Sequence, residues 1–206
     1  MKTKQLTFLL ALTFLFLFSG SVYGDDWEDG FDAYNRKDYK TAYKFWLPLA
    51  EQGNAWAQPL LGWMYSKGKG VPQDYKEAVK WYRLSAEQGK AAGQYNLGFV
   101  YEKGQGVPQD YKEAVRLYRL SAEQGVADAQ INLGLMYEKG QGVPQDYVSA
   151  HMWFNLCGSS GDKDCVSSIR HIEKMMSPSQ IEKAQEMARK IAFIQEQREL
   201  RHINLD

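Results

Sequence analysis

Three groupings in the sequence carry residue types that can do chemistry. Ser66-Lys67-Gly68-Lys69 has the Ser-x-x-Lys spacing in which a lysine amine serves a serine nucleophile, as in serine β-lactamases. The companion Ser-Asp-Asn and Lys-Thr-Gly motifs are absent, and the corresponding loop further along reads Glu102-Lys103-Gly104-Gln105. Ser66 and Lys69 are therefore expected to be loop variation, not a catalytic pair. The second grouping is Gly68-Lys69-Gly70, which could be mistaken for a phosphate-cradling loop. It recurs as Gly104-Gln105-Gly106 and Gly140-Gln141-Gly142 with no strand-like segment ahead of it, so it reads as a turn. The third is Cys157 with Cys165, the only two cysteines. No second cysteine pair or suitably spaced histidine pair accompanies them, so no metal centre is expected. His151, His171 and His202 are scattered and read as surface or half-buried imidazoles. No cofactor is expected.

Composition narrows the partners. Lys2 and Lys4 precede an apolar run from Leu6 to Phe18, followed by small residues and a Val22-x-Gly24 ending, the layout of an export signal over residues 1–24. The run is about 13 residues long against the roughly 20 of a membrane-spanning helix, which favours cleavage after Gly24 over an uncleaved anchor. A periplasmic or secreted chain without membrane insertion follows. Removing Lys2 and Lys4 from 25 basic residues leaves 23 against 25 acidic ones, with no basic stripe to track phosphates. Nucleic acid is excluded as a partner on that ground. In an oxidising compartment the even pair of cysteines reads as a disulfide, with two buried thiols as the alternative.

The elements that must position all this recur at a fixed step. Gly53, Gly89, Gly125 and Gly161 are 36 residues apart, as are Leu61/Leu97/Leu133, Gly62/Gly98/Gly134, Pro72/Pro108/Pro144 and Asp74/Asp110/Asp146. Such a period means stacked supersecondary units, none able to bury its apolar face alone. In the unit 54–89, Ala57, Leu61 and Tyr65 share one helical face, and the glycines from Gly68 stop that helix. Asp74 caps a second helix, and Glu77 three residues on suggests a capping box, repeated at Asp110 and Glu113. The unit is a helical hairpin.

The pattern Ala57…Leu61-Gly62…Tyr65…Gly68-x-Gly70-Val71…Asp74…Ala78…Trp81-Tyr82…Ala86…Gly89 resembles the Sel1-like repeat, a relative of the tetratricopeptide repeat. The resemblance implies an all-α, right-handed α/α solenoid of hairpins. Residues 25–53, with a shorter connection, are expected to form a tetratricopeptide-like cap, and 54–161 three repeats (54–89, 90–125, 126–161). Residues 162–206 are read as a degenerate repeat and a closing helix that starts at Pro178 and carries an Ile181, Ala184, Ala188, Ile191 stripe. In cysteine-rich relatives, cysteines at the spacing of Cys157 and Cys165 staple consecutive helices. Some of those relatives have been linked to β-lactam hydrolysis, which makes a hydrolase acting on β-lactams or peptidoglycan the first alternative function.

A binding surface is suggested by the helical wheel. At 100° per residue, Trp56, Pro59 and Trp63 point away from the Ala57, Leu61, Tyr65 face. Tyr95 and Phe99, then Ile131 and Leu135, continue this apolar band, with Asn96 and Asn132 beside it. In tetratricopeptide-like arrays the matching side chains line the concave groove that holds peptides or partner domains. The expected function is a non-catalytic scaffold of the cell envelope binding a protein or peptide. A sugar- or peptidoglycan-binding module is the second alternative, since exposed aromatic rings also suit sugars. The alternative for the band itself is internal packing, and a working groove would leave Trp63, Tyr95 and Phe99 nearly free of structural duty.

Overall fold

The computed structural model describes residues 26–159 and 161–203. The expected export signal lies outside them. All the described elements are helical: α1 (26–35), α2 (Tyr39–Glu51), α3 (Ala57–Lys67), α4 (Tyr75–Glu87), α5 (Ala91–Lys103), α6 (Tyr111–Ala122), α7 (Ala127–Lys139), α8 (Tyr147–Gly158), α9 (Lys163–Ile172) and α10 (Pro178–Ile203). A 3₁₀ turn, Glu173–Met175, leads into α10. None of these helices is long and apolar enough to cross a membrane. The chain divides into two compact units, the first ending at Trp81 and the second beginning at Tyr82 within α4.

One turn design is used three times. Gly68, Gly104 and Gly140 end α3, α5 and α7 in the left-handed conformation. The N–H of Asp74, Asp110 and Asp146 then donates to the carbonyl of Tyr65, Tyr101 and Tyr137, each at 3.0 Å. Gln73, Gln109 and Gln145 reach back with their side-chain amides to the carbonyls of Ser66, Glu102 and Glu138 at 2.7–2.8 Å. The exposed C-terminal carbonyls of each first helix thus gain partners in the linker itself.

Each aspartate caps its helix through Oδ1, as with Asp110 and the N–H groups of Lys112 and Glu113. The expected reciprocal half of a capping box is not formed, because the aspartate N–H is already committed to the tyrosine carbonyl. Glu77 pairs with Lys80 instead, and Glu113 with Arg116. The reciprocal box occurs at α10, where Ser177 N–H donates to Gln180 Oε1 at 2.8 Å and Gln180 N–H to Ser177 Oγ at 3.4 Å.

In the first unit, Ala33, Ala42, Trp46, Leu49, Ala57, Leu61 and Met64 form the core. The Trp46 indole lies so close to Gly30 that any side chain there would collide with it. In the second unit, α5 pairs with α6 and α7 with α8, while α6–α7 and α8–α9 contacts stack the hairpins in series, as an α/α solenoid requires. Ala114, Tyr118, Ala129, Leu133, Trp153 and Leu156 share one core with Ala184 and Ala188 of α10. The closing helix packs along α8, with its expected stripe turned inward.

Neighbouring repeats meet at the second glycine of the turn. Gly142 has φ +74°, and a Cβ there would strike the Tyr111 carbonyl at the start of α6. Gly125 has φ +89°, but a Cβ there would meet nothing within 4 Å. Gly125→Ala should therefore incur backbone strain alone, about 1 kcal/mol, and Gly142→Ala about 3 kcal/mol or more. Urea unfolding of the two variants checks this; equal losses would show that the Gly142 contact carries no weight.

Candidate partner-binding surface

The nine band residues divide between the two units. In the first, Trp56 is 60 % exposed. Pro59 is buried, against expectation. Trp63 is half-buried, its ring 5.5 Å from Tyr34 and 5.8 Å from Tyr39 in edge-on contacts. Lys69 stands over the far side of this cluster, 5.6 Å from the Tyr39 ring. Trp63 therefore has a structural duty that the wheel did not give it. A wheel describes one helix, whereas α3 is flanked by the preceding hairpin as well as by its own partner.

In the second unit, Tyr95, Asn96, Phe99, Ile131, Asn132 and Leu135 are all half-buried. Ile131 and Leu135 pack against the cluster of Ala150, Phe154 and Ile172, and so join α7 to its own partner α8 and to α9. Tyr95 lies 5.9 Å from the Tyr118 ring, and Asn132 makes side-chain hydrogen bonds to both tyrosines. Tyr118 donates to Glu102 Oε2 at 2.7 Å. Burial first, then the Glu102 carboxylate, pushes the Tyr118 hydroxyl well above its ordinary value, so it remains a donor. Burial and the charge of Asp128 raise Tyr95 likewise. Lys103 lies 5.5 Å from the Phe99 ring, and Asn96 donates to its own helix at the Ala92 carbonyl. What stays open at this surface is a set of half-exposed aromatic and amide groups held by a satisfied polar network.

The other chemistry-bearing groups have structural partners. Ser66 Oγ donates to the Trp63 carbonyl at 2.9 Å, while Lys69 is turned to Tyr39. Cys157 and Cys165 are joined as a disulfide between α8 and α9, with Cα atoms 5.9 Å apart and both residues buried. The Asp162 carboxylate lies within 4.8 Å of both sulfurs. Its Oδ1 caps α9 by accepting from the N–H groups of Asp164 and Cys165, so this trio is a staple and a cap.

His151 corrects the sequence reading, for it is fully buried. It takes the repeat position of Val79 and Val115, both core residues, and that register was the signal available for its burial. Its ring nitrogens meet Asn155 at 2.6 Å and Glu173 at 3.0 Å, which satisfies the imidazole and ties the 3₁₀ turn to α8. His171 is exposed, 3.5 Å from Glu138.

A sequence profile of the Sel1 repeat matches residues 28–54, 57–90, 91–126 and 127–162. The chain belongs to the Sel1 repeat family. The profile covers the short first hairpin as well as the three longer ones, and stops where α9 begins. Among solved structures, the chain is similar to a Sel1 repeat protein from Oxalobacter formigenes, with 37% identity and a TM-score of 0.64 over 68% of this chain and 58% of that one. It is also similar to a protective antigen present in uropathogenic Escherichia coli strains that displays an SLR fold, with 28% identity and a TM-score of 0.56 over 73% and 40%. The chain thus spans less than two thirds of either solved protein. No curated protein matches it significantly.

Two measurements test these Sel1 repeat assignments. Trp63→Ala should cost about 3 kcal/mol, because it empties the centre of an aromatic cluster, whereas Trp56→Ala should cost under about 1 kcal/mol. Chemical denaturation that ranked them in the reverse order would show the Tyr34–Trp63–Tyr39 contacts to be dispensable. Reducing Cys157–Cys165 should lower stability by about 2–3 kcal/mol, the loop-closure value for so short a ring. Identical unfolding midpoints with and without a thiol reductant would refute a stabilising bridge.

Proposed function

We propose that this Sel1 repeat chain is a non-catalytic scaffold of the cell envelope, exported to the periplasm or beyond, that holds a protein or peptide partner on the first-helix face of its hairpins. The observation that carries the reading is the group Tyr95, Phe99, Asn96 and Asn132 on α5 and α7, aromatic and amide side chains left half-open over a satisfied network. Such residues supply contact area and adaptable hydrogen bonds at little entropic cost, and aromatic anchors dominate interface energetics. Ile131 and Leu135 flank this group on α7, and in the first unit Trp56 is the exposed member of the corresponding set, with Trp63 half-buried and Pro59 buried. The buried Cys157–Cys165 bridge is compatible with an oxidising compartment. Family membership weighs the same way, since Sel1 repeats typically mediate protein interactions.

A photo-crosslinking residue at Asn96 or Asp128, on this face, should trap a partner in the native host; one at Lys190, on the exposed side of α10, should not. Tyr95→Ala with Phe99→Ala should weaken capture about 30-fold, the equivalent of about 2 kcal/mol. Equal trapping at Lys190, or hydrolysis of a chromogenic β-lactam by the purified chain, would count against the proposal. Retention of the chain on purified sacculi without a protein partner would point to cell-wall binding instead.

A further inference from the structure

Helix α10 shows how this array receives a helix. It lies along α8, where Ala188 and Ala192 face Leu156 and Ser159 across a cavity of 260 Å³. Its far end donates from Gln195 Nε2 to the Ala122 carbonyl at 2.9 Å and from Arg198 to the Glu123 carbonyl at 3.4 Å, both at the end of α6. Under this cover Leu156 is only 7 % exposed, whereas Leu120, its counterpart one repeat earlier, is 37 % exposed.

That earlier repeat presents a matching groove that is open. Between α4 and α6 lies a second cavity of 260 Å³ with Leu97 and Leu117 buried at its floor and Leu120 partly exposed at its mouth, and with Arg83, Ala86 and Glu87 along its α4 wall. At a step of 36 residues these become Leu133, Trp153, Leu156, Arg119, Ala122 and Glu123. Leu133, Trp153 and Leu156 share their core with Ala184 and Ala188 of α10, and Ala122 and Glu123 supply the two carbonyls that α10 touches. The open groove is therefore the repeat image of the seat that α10 fills, and α6 is a wall of both.

We propose that the α4–α6 groove binds an amphipathic helix of a partner protein that carries the pattern of α10. The pattern is Ala184, Ala188, Ile191, Gln195 and Arg198: small residues at i and i+4, a branched aliphatic at i+7, and side-chain donors at i+11 and i+14. The small residues let the helix backbone approach the partly exposed Leu120 closely. The donors meet the last carbonyls of α4, as Gln195 and Arg198 meet those of α6. Glu113 and Arg116 stand on the α6 rim where Ser149 and Met152 stand on α8, and they are bound to each other at 2.7 and 2.8 Å. The incoming helix accordingly has polar flanks on that side. This groove lies between second helices and is separate from the Tyr95 face, so the two proposals stand or fall independently.

The test titrates the full chain with a labelled synthetic peptide of residues 178–203 bearing a photo-crosslinker at the position of Ala188. Saturable binding is expected, with crosslinks to α4 and α6. Leu120→Glu, a change at a partly exposed side chain, should weaken binding at least tenfold without lowering the melting temperature. Absence of saturable binding would overturn the proposal. So would crosslinks confined to α8, which would mean displacement of the chain's own helix. Sedimentation showing that two copies exchange α10 and thereby exclude the peptide would assign the groove to a second copy and overturn it as well.

Discussion

The turn that closes each long hairpin is the constraint on which the other features depend. A helix that ends in the open leaves four carbonyls without partners, and a repeat protein meets that cost at every hairpin. Here a left-handed glycine, an aspartate N–H and a glutamine amide satisfy the end of each first helix within eight residues of chain, from Gly68 to Tyr75. The same aspartate then caps the second helix through its side chain. The angle and separation of the two helices are set by this one segment. Because Gly142 must also lie against the Tyr111 carbonyl, the turn sets the spacing between hairpins as well.

That dependence explains which parts were legible in the sequence. Glycine, proline, aspartate and glutamine at fixed spacing have few physical roles, so the hairpin could be read from Gly68 to Asp74 and its recurrences. Leu61, Leu97 and Leu133 were legible as core for the same reason, and all three are buried. The binding band was less legible. Pro59, Ile131 and Leu135 lie on the side of the first helix that a wheel marks as outward, yet they pack. In a stacked array the outward side of one hairpin is the inward side of its neighbour, and a single-helix projection does not contain the neighbour. His151 departs from expectation for another reason. Residue type suggests a surface imidazole, while repeat register, shared with Val79 and Val115, requires burial. Register is the stronger constraint, and Glu173 and Asn155 supply the hydrogen bonds that make it tolerable.

The end of the array loses several repeat landmarks together, with Ile169, Arg170, Met176 and Pro178 standing where Leu133, Gly134, Gly140 and Gly142 stand one repeat earlier. Gly134 lets Phe154 of the next helix approach so closely that a methyl group would collide with its ring, and a Cβ at Gly98 would come within 3.0 Å of Tyr118. The next position in that series is Arg170 on α9. A side chain of that size where a ring must lie forbids another hairpin of the same geometry. The chain instead makes a 3₁₀ turn, held to α8 by the Glu173–His151 contact, and α10 takes its packing from α8. The Cys157–Cys165 bridge fastens α9 at the point where the repeat contacts give out. Loss of the glycine is thus one of the changes that mark where the repeats end, and α10 lies along α8 in place of a further hairpin. The last repeat is covered by α10, and the groove before it keeps the shape that such a cover fits.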